Sequence, residues 1–389
     1  MDRLTGDYWE LPWGATYMTI QSKSTLAALS MVLMAGTAHA GGFDRTTYSP
    51  NILFEKGKVY LEGSLARVNP NVSGDLDFGP IHGVDDMSPN YGLWSAGAKF
   101  DIGDRVSVAF QTFEALGADI SYAGGTNFYF PIEVDLAGRA YVGTAKVDLT
   151  DNISVFGGIK YMEAGGDANN LIGPGTGDFE LQRSHGYGYI IGAAYSIPDI
   201  ALRVSLTYET AFEIDLPTNN AALAPLQAAG LIGRDTTATI PAAWELYFQT
   251  GIAPGTLLFG SVRHTAWSDA DIVLFDSTLN PAFAVTSFSD SLTWNLGVGK
   301  QLTDKLSMSI SGTYEAGDGD PSTLQPVDGK FTLGVGAKYK VTENLEISGG
   351  ISHTWLGDNE TDLSPPFPAD AQFEDNHAWA FGTKIALRF

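Results

Sequence analysis

The sequence predicts an all-β protein, a transmembrane antiparallel β-barrel of fourteen strands with a short N-terminal plug segment and long extracellular loops. Three observations predict this fold: segments in which apolar and polar residues alternate, connectors that alternate between short and long, and an N-terminal export signal. The composition agrees, because Gly (45 residues) and aromatic residues (12 %) are plentiful while charged residues make up only 17 %. Such a composition favours strands and tight turns over helices.

The export signal lies at the N-terminus. Thr25–Ala38 is an apolar run that follows Lys23 and leads into the A-x-A cleavage pattern of Ala38–Ala40. The run is too short to cross a bilayer as a helix, and no stretch of about 18 apolar residues follows it. Because Met1–Tyr17 is acidic, unlike the start of a signal peptide, Met18 is the expected start, and a genuine N-terminal extension is the alternative.

We therefore expect three parts in the chain. Residues 1–40 hold the N-terminal extension and the signal peptide, with cleavage after Ala40. Residues 41–57 form a plug segment in the periplasm or the lumen, and residues 58–389 form the barrel. We expect the mature protein in the bacterial outer membrane as a multi-pass β-barrel, because it is exported and has no apolar helix to hold it in a membrane.

Alternating segments predict fourteen strands along the barrel region. In chain order they are Lys58–Val68, Asn90–Asp101, Arg105–Ala118, Ile132–Leu149, Ile153–Glu163, Ser184–Ile197, Ile200–Leu216, Thr237–Ala253, Thr256–Trp267, Val285–Leu302, Lys305–Gly317, Gly329–Val341, Asn344–Gly357 and Asp375–Phe389. Six connectors are short turns, built on Gly103-Asp104, Thr150-Asp151, Pro198-Asp199, Pro254-Gly255, Thr303-Asp304 and Thr342-Glu343. Seven connectors are long, and the two kinds alternate strictly along the chain. Short turns at one end of the strands and long loops at the other are typical of outer-membrane barrels rather than of propellers or sandwiches.

The faces of individual strands fit a membrane barrel, which needs apolar residues outside and polar residues inside. In Lys330–Lys340 the odd positions are apolar and the even ones are small or polar, and Leu306–Glu315 alternates in the same way. A half-buried soluble sheet shows the same parity, so the export signal and the connectors decide between the two. Tryptophans near strand ends predict interfacial girdles, with ordinary aromatic packing as the alternative; they are Trp94, Trp244, Trp267, Trp294, Trp355 and Trp379.

Composition and motifs exclude several classes of function. The formal net charge of −23 leaves no basic surface for nucleic acid. The absence of cysteine excludes disulfides and thiolate nucleophiles. The six histidines lack metal-ligand spacing, and the sequence has no nucleophile elbow, phosphate-binding loop or dinucleotide fingerprint. We therefore expect no catalytic residues, no metal site, no cofactor and no enzymatic activity.

Five blocks stand out in order along the chain: Ser49–Phe54 (SPNILF), Val68–Gly74 (VNPNVSG), Tyr122–Tyr129 (YAGGTNFY), Ile240–Asp269 with its Pro-x-x-Trp-Glu entry, and Ala378–Phe389 (AWAFGTKIALRF). In order and spacing they resemble the FadL/TodX family of outer-membrane transporters for long-chain fatty acids and other hydrophobic compounds. The resemblance implies an N-terminal plug, a hydrophobic groove among outer loops and exit through a break in the third strand. The chain departs from the family in its short segment before the first strand and in carrying Asp269 and Asp271 where basic head-group contacts are expected.

A landing site for a hydrophobic ligand is predicted in the outer loops. The loop Asn219–Gly233 is mostly apolar, and the spacing of its large residues, Leu223, Leu226, Leu231 and Ile232, predicts a short amphipathic helix. The alternative is a helix that caps the barrel. Phe283 and Phe367 could form walls of the same groove, and rigid loops are the alternative there.

A plug and a lateral path follow from the resemblance. Ser49, Pro50 and Asn51 are the candidates for a mobile plug, and a stiff turn into the first strand is the alternative. Gly117 lies where the alternation of the third strand stops, and a glycine inside a strand often marks a bulge or kink. A plain strand end is the other interpretation of Gly117.

Four cations are predicted by strand parity to face the lumen, where they could bind a carboxylate head group: Arg139, Lys160, Arg203 and Lys338. The favoured alternative is that they form charged ladders with acidic partners such as Glu209, Glu245 and Glu315.

The sequence thus predicts passive uptake of long-chain fatty acids or other hydrophobic small molecules. The ligand would be captured by apolar outer loops and released through the barrel or a lateral opening. We expect a monomer whose other partner is outer-membrane lipid. A general diffusion porin and a surface adhesin or phage receptor that uses the outer loops are the alternatives.

Overall fold

The structure is a computed structural model that describes residues 42–78, 81–122, 132–171, 176–270, 272–275, 283–284, 286, 288–317, 324, 326–362 and 370–389. The predicted extension and signal peptide therefore lie outside the described residues. None of the helices among the described residues is long and apolar enough to cross a membrane.

The described residues form 22 strands, named β1 to β22 in chain order. They are β1 (Val59–Asn71), β2 (Gly74–Phe78), β3 (Ile81–Val84), β4 (Tyr91–Ile102), β5 (Val106–Ser121), β6 (Glu133–Asp148), β7 (Ile153–Asn169), β8 (Asp178–Ile197), β9 (Leu202–Glu209), β10 (Phe212–Asn220), β11 (Asp235–Ile240), β12 (Ala243–Ala253), β13 (Thr256–Thr265), β14 (Ile272–Leu274), β15 (Phe283–Ala284), β16 (Ser291–Gln301), β17 (Leu306–Glu315), β18 (Lys330–Lys340), β19 (Leu345–Leu356), β20 (Asn359–Asp362), β21 (Asp370–Phe373) and β22 (His377–Arg388). One short α-helix, α1 (Ala224–Ala228), and the 3₁₀ helices Pro50–Phe54, Pro198–Ile200 and Trp267–Asp269 complete the elements of these residues.

Fourteen of these strands close into one antiparallel barrel, which confirms the predicted fold. Around the ring they run β1, β4, β5, β6, β7, β8, β9, β12, β13, β16, β17, β18, β19 and β22. The first and last strands pair from Tyr60↔Arg388 to Asn71↔His377 and so close the ring. Closure satisfies the hydrogen-bonding groups at both strand edges, which a wall in hydrocarbon requires.

Three of the six short turns share one hydrogen-bond arrangement, which explains why Thr-Asp and Thr-Glu recur at this end. Thr150 Oγ1 accepts hydrogen bonds from the amides of Asn152 (3.2 Å) and Ile153 (3.0 Å). Thr303 does the same for the amides two and three residues ahead, at 3.2 and 2.9 Å, and Thr342 at 3.2 and 3.0 Å. A hydroxyl that satisfies two turn amides allows a tight return of the chain.

The outer surface carries an apolar band with a tryptophan girdle at the long-loop end. Five of the six predicted girdle residues face outward, with 40–51 % of each exposed: Trp94, Trp244, Trp294, Trp355 and Trp379. The prediction was wrong for Trp267, which is 3 % exposed because the 3₁₀ helix after β13 turns it into the mouth of the barrel. In β17 and β18 the apolar residues of the predicted parity face outward, as expected, with Ile310 and Val335 among the exposed side chains.

Two predicted strands are each divided in the structure. The segment Ile200–Leu216 separates into β9 and β10, and Thr237–Ala253 separates into β11 and β12 at Pro241, which has no backbone N–H to continue a ladder. β9 and β12 stay in the wall, where Glu209 pairs with Ala243. β10 and β11 form a hairpin above the wall, and β11 pairs onward with β14.

Candidate functional site

Residues 42–58 form a plug that runs inside the barrel from the long-loop end to the short-turn end. The plug base, residues 49–58, is tied to the barrel at the short-turn end. Lys99 Nζ donates to the carbonyl oxygens of Glu55 (3.0 Å) and Gly57 (2.8 Å). Arg388 in the last strand donates to the Glu55 carboxylate at 3.0 Å, so the base is tied to β4 and β22, the two strands that flank β1. These contacts hold residues 49–58 inside the ring of strands, and the role of residues 41–57 as a plug stays a prediction.

The three predicted plug residues lie in a 3₁₀ turn within this base. The Ser49 hydroxyl accepts from the Asn51 amide at 3.3 Å, and Pro50 opens the helix, where its missing N–H costs nothing. The Asn51 side-chain oxygen accepts from the guanidinium of Arg203, and Gln111 donates to the Ser49 carbonyl at 3.1 Å. These contacts connect the turn to the barrel wall. The predicted mobility of the three residues stays a prediction.

The wall itself is interrupted between the second and third barrel strands. Pairing of β4 with β5 ends at Ser95↔Phe113, whereas β5 continues to Ser121 and pairs there with β6. The β5–β6 register shifts between Glu114 and Leu116, which marks a bulge at Ala115. Because Tyr91–Trp94 pairs with β1 instead, β4 and β5 separate above Phe113, and we call this opening the wall gap.

The plug tip, residues 42–48, pairs with the β5 edge that the wall gap leaves free. The Arg45 amide donates to the Ala115 carbonyl at 2.8 Å, the Gly117 amide donates to the Phe43 carbonyl at 3.0 Å, and Asp44 forms an antiparallel bridge with Leu116. Gly117 is therefore inside β5, beside the bulge, and its interpretation as a plain strand end was wrong. A Cβ atom at Gly117 would overlap the Arg45 side chain, so glycine is required at this point.

Arg45 fills the wall gap with its guanidinium. It contacts the carboxylates of Glu114 and Asp119, both on β5, at 2.5 Å each, and its Cζ lies 4.1 Å above the ring of Tyr91 on β4. Burial by itself lowers the pKa of Arg45, but the charge of Asp119 and the hydrogen bonds to both carboxylates raise it overall. The guanidinium stays charged and bridges the two separated strands.

The predicted inward orientation of Arg139 was wrong. In β6 it has the same parity as the exposed Tyr141 and Val147 and so shares the membrane face with them. Its Cζ lies 3.8 Å from the outward-facing ring of Trp94. Its guanidinium lies 3.6 Å from the second oxygen of Glu114. Glu114 therefore contacts Arg45 from the lumen side and Arg139 from the membrane side.

An apolar pocket lies against the plug tip and the wall gap. This tip pocket has a volume of about 40 Å³, and its lining includes Phe43, Val72, Met87, Ala118, Ile120 and Leu356. Phe43 packs edge-on against Phe288 at 5.1 Å between ring centroids, and Phe288 packs in turn against Trp267 at 5.7 Å. The first described residues of the chain thus occupy an apolar, aromatic site at the mouth of the barrel.

The other three predicted cations do face the lumen, and all of them have partners. Lys160 contacts Glu209 at 2.8 Å, and Glu209 also accepts from Arg263 at 2.9 Å. Lys338 lies 3.7 Å from Glu346. Arg203 donates to Asn51 and, at 3.3 Å, to Gln249. The lumen contains the charged ladders that we gave as the alternative to a head-group site.

Next to the tip pocket, an open cleft is lined by carboxylates of strands β5 to β8. They are Asp119, Glu133, Asp135, Asp167, Asp178 and Glu180. Asp119 and Ile120 line both the cleft and the pocket. In the described residues no group of three or more histidine and acidic side chains has the arrangement of a metal site. The six carboxylates make the cleft next to the tip pocket strongly negative.

The predicted loop residues are divided between core and surface. The amphipathic helix is present as the single short helix α1. Ile232 is buried in the apolar core and Leu223 packs against it, whereas Leu226 is 38 % exposed and Leu231 is intermediate. Phe283 lies in β15, paired with Leu274, and Phe367 lies outside the described residues. Their predicted role in ligand capture stays a prediction.

Sequence reasoning missed Phe43, Arg45, Glu114 and Asp119. The signal was present in part: a lone arginine precedes the first strand, and FEALGAD (Phe113–Asp119) places two carboxylates around the glycine that we had singled out. Nothing in the sequence connects these two segments, which are 69 and 74 residues apart at their contacts.

The comparisons with known proteins agree with this architecture. Residues 144–389 match the sequence model of a family described as "Outer membrane protein transport protein (OMPP1/FadL/TodX)". Among solved structures, a Pseudomonas aeruginosa FadL homologue is 15 % identical, with a TM-score of 0.67 over 91 % of this chain and 97 % of that one. The P. putida toluene transporter TodX is 12 % identical, with a TM-score of 0.62 over 87 % and 92 % of the two chains. The Ralstonia pickettii toluene transporter TbuX is 11 % identical, with a TM-score of 0.57 over 92 % and 100 %. At these identities the structural matches establish the fold alone.

A curated relative, the "47 kDa outer membrane protein" of Pasteurella multocida (strain Pm70), is 25 % identical over 203 residues. The match covers 48 % of this chain and 46 % of the relative, so the chain spans about half the length of the curated relative that it matches.

Proposed function

Because the chain belongs to the OMPP1/FadL/TodX family of outer membrane transport proteins, we propose that it carries small hydrophobic molecules passively across the outer membrane. The observation that carries this proposal is the coincidence of three features at one place. The tip pocket is apolar, Phe43 of the plug tip forms part of its wall, and the wall gap opens beside it. A membrane transporter for apolar molecules needs an apolar site, a movable obstruction and an exit, and these features supply all three.

The transport path begins at the outer loops and turns sideways at the plug tip. A ligand that enters from the long-loop end and needs more than the 40 Å³ of the tip pocket has to displace Phe43, which is the part of the plug that lines it. Below the pocket the lumen is lined by polar residues such as Ser261, Thr293 and Asn295, which offer an apolar molecule no favourable contact. Exit through the wall gap into the membrane is therefore the lower-energy route. Such passive transfer requires neither cofactor nor catalysis.

We propose that uncharged ligands are preferred over fatty acids, which stay the other predicted substrate class. Arg45, the cation at the tip pocket, already binds two carboxylates, and the adjoining cleft contributes further negative charge. A fatty-acid carboxylate would meet repulsion on its approach and would have to displace Glu114 or Asp119. Two of the similar structures are named toluene transporters, which is consistent with an uncharged substrate.

Uptake measurements test the proposal directly. In cells whose only carrier of this family is this chain, radiolabelled toluene should enter faster than in cells with an empty vector. The rate of oleate uptake should increase less over the same vector control. Ala118→Phe, which fills the tip pocket, should abolish the gain, whereas Leu226→Ser on exposed α1 should leave it intact. Toluene entry equal to that of the vector control would refute the proposal.

The porin alternative has its own test. A plug tied to the wall at both ends should give no steady open-channel current in a planar bilayer. Purification in mild detergent followed by mass spectrometry would identify a bound apolar molecule and separate transport from an adhesin role of the loops.

A further inference from the structure

We propose that Arg45 is the latch of the wall gap: it fastens the plug tip to β5 as an added strand, so that the tip pocket and the wall open together. This inference rests on the proposed transport function and names the residue that regulates its exit. It predicts that the plug tip is part of the barrel wall in the resting state.

The first argument comes from the backbone. Above Phe113 the β5 edge has lost its partner β4, and unpaired N–H and C=O groups are costly in a membrane wall. The plug tip supplies the missing partners at Ala115 and Gly117, on either side of the Asp44–Leu116 bridge. The tip therefore acts as a short substitute strand. Its removal exposes the edge and opens the wall in a single step.

The second argument comes from charge. Both carboxylates that hold Arg45 belong to β5, and Tyr91 on β4 lies beneath the guanidinium. When the tip leaves, Asp119 loses its cation beside the further carboxylate of Asp135, and Glu114 keeps only the longer contact with Arg139 at 3.6 Å. This repulsion makes the open state unfavourable unless a ligand occupies the pocket, so Arg45 suppresses leakage through the gap.

The third argument is the spacing along the plug. Phe43 forms part of the wall of the tip pocket, and Arg45, two residues later, fills the wall gap. The carbonyl of Phe43 accepts one of the three backbone hydrogen bonds that join the tip to β5. A ligand that displaces the Phe43 ring therefore strains the same hydrogen bond that closes the wall. Gly117 leaves room for the Arg45 side chain, because a larger residue there would push Arg45 out of the gap.

The chain has no native cysteine, so an engineered disulfide gives a clean test. Asp44→Cys with Leu116→Cys joins the two bridge partners, whose Cα separation in an antiparallel pair suits a disulfide. The matched control is Ser64→Cys with Ser95→Cys, which joins β1 to β4 at hydroxyls 2.6 Å apart and leaves the plug free.

Toluene uptake should be abolished in the oxidised 44–116 protein and restored by reductant, while the 64–95 control transports in both states. Equal uptake by the oxidised and reduced 44–116 protein would overturn the latch and leave the transport proposal intact. Failure of the wild-type chain to take up toluene would instead refute the transport proposal, and the ligand-free measurement below then decides the latch.

Amide hydrogen exchange in detergent measures the latch without a ligand. Arg45→Met should raise the hydrogen-exchange rate of the Gly117 amide by many fold. Arg45→Lys keeps the charge but not the guanidinium that contacts two carboxylates at once, and should raise the rate less. Lys338→Met removes a lumen ion pair at the short-turn end, far from the gap, and should leave Gly117 protected. Unchanged protection of Gly117 in Arg45→Met would overturn the proposal.

Discussion

The two ends of the plug are held by different physics. The base is fixed by charged hydrogen bonds to Lys99 of β4 and Arg388 of β22, in a polar part of the lumen. The tip is held by an aromatic contact, three backbone hydrogen bonds and one arginine, next to an apolar pocket and a break in the wall. Breaking the base affects the whole barrel, whereas breaking the tip affects only the gap. The comparison predicts that stability resides at the base and gating at the tip.

The largest effect on stability is expected at the base. Lys99 is 2 % exposed, pairs with Asp101 at 2.6 Å and donates to two plug carbonyls. Lys99→Met leaves these groups unpaired and should cost about 3–5 kcal/mol of unfolding free energy. Denaturant unfolding followed by tryptophan fluorescence measures it. Lys300→Met, at an exposed site with two hydrogen bonds, is the matched control, and an equal loss in both would contradict the comparison.

At the tip, Phe43→Ala should act locally. Phe43 is 8 % exposed, and its truncation should remove about 3 kcal/mol of the free energy that docks the tip, with little change in global unfolding. Limited proteolysis should then cut the plug before the barrel unfolds, and leakage of toluene should rise. A global loss of stability equal to that of Lys99→Met would show that the two ends are not separate.

Within the base, Asn51→Ala tests the 3₁₀ turn at the end nearer the tip. It removes one of the two acceptors that the buried Arg203 guanidinium uses, and the cost should be about 1–3 kcal/mol. We expect a measurable loss of unfolding free energy without leakage of toluene, because the wall gap lies at the other end of the plug. Leakage in this variant would mean that the 3₁₀ turn takes part in gating.

The smallest effect is expected outside the plug. Thr303→Ala removes a hydroxyl that accepts from two turn amides at the exposed short-turn end, and should cost about 0.5–1.5 kcal/mol. Thermal melts of the variant should show a small shift with unchanged uptake. A loss larger than that of Asn51→Ala would place more of the stability in the turns than the comparison allows.

The positions of the fourteen strands could be predicted from the sequence because the membrane imposes a two-residue period on them. The two-residue period gave the wrong orientation for the Arg139 side chain, and the reason is physical. At the long-loop end the lumen is itself apolar, with Val134, Ala140 and Val142 facing inward, so the two faces of β6 show no polar contrast. Trp267 was misassigned because proximity to a strand end does not show on which side the following turn places the ring.

The candidate site was predicted only in its parts. The sequence identified Gly117 and the plug as separate features, because glycines and segment boundaries are visible locally. It could not show that the plug tip pairs with β5, since that contact joins segments about 70 residues apart and depends on where the wall opens.

By itself, the sequence determined the strand number, the two unlike ends of the barrel and the membrane-facing band, because each follows from local spacing and from the solvent that each face meets. Only the tertiary structure decided that Arg45 contacts Glu114 and Asp119, that Phe43 lines the tip pocket, and that the lumen cations Lys160 and Lys338 have acidic partners. Those outcomes depend on closing the ring and inserting the plug, which bring distant residues within a few ångströms of one another.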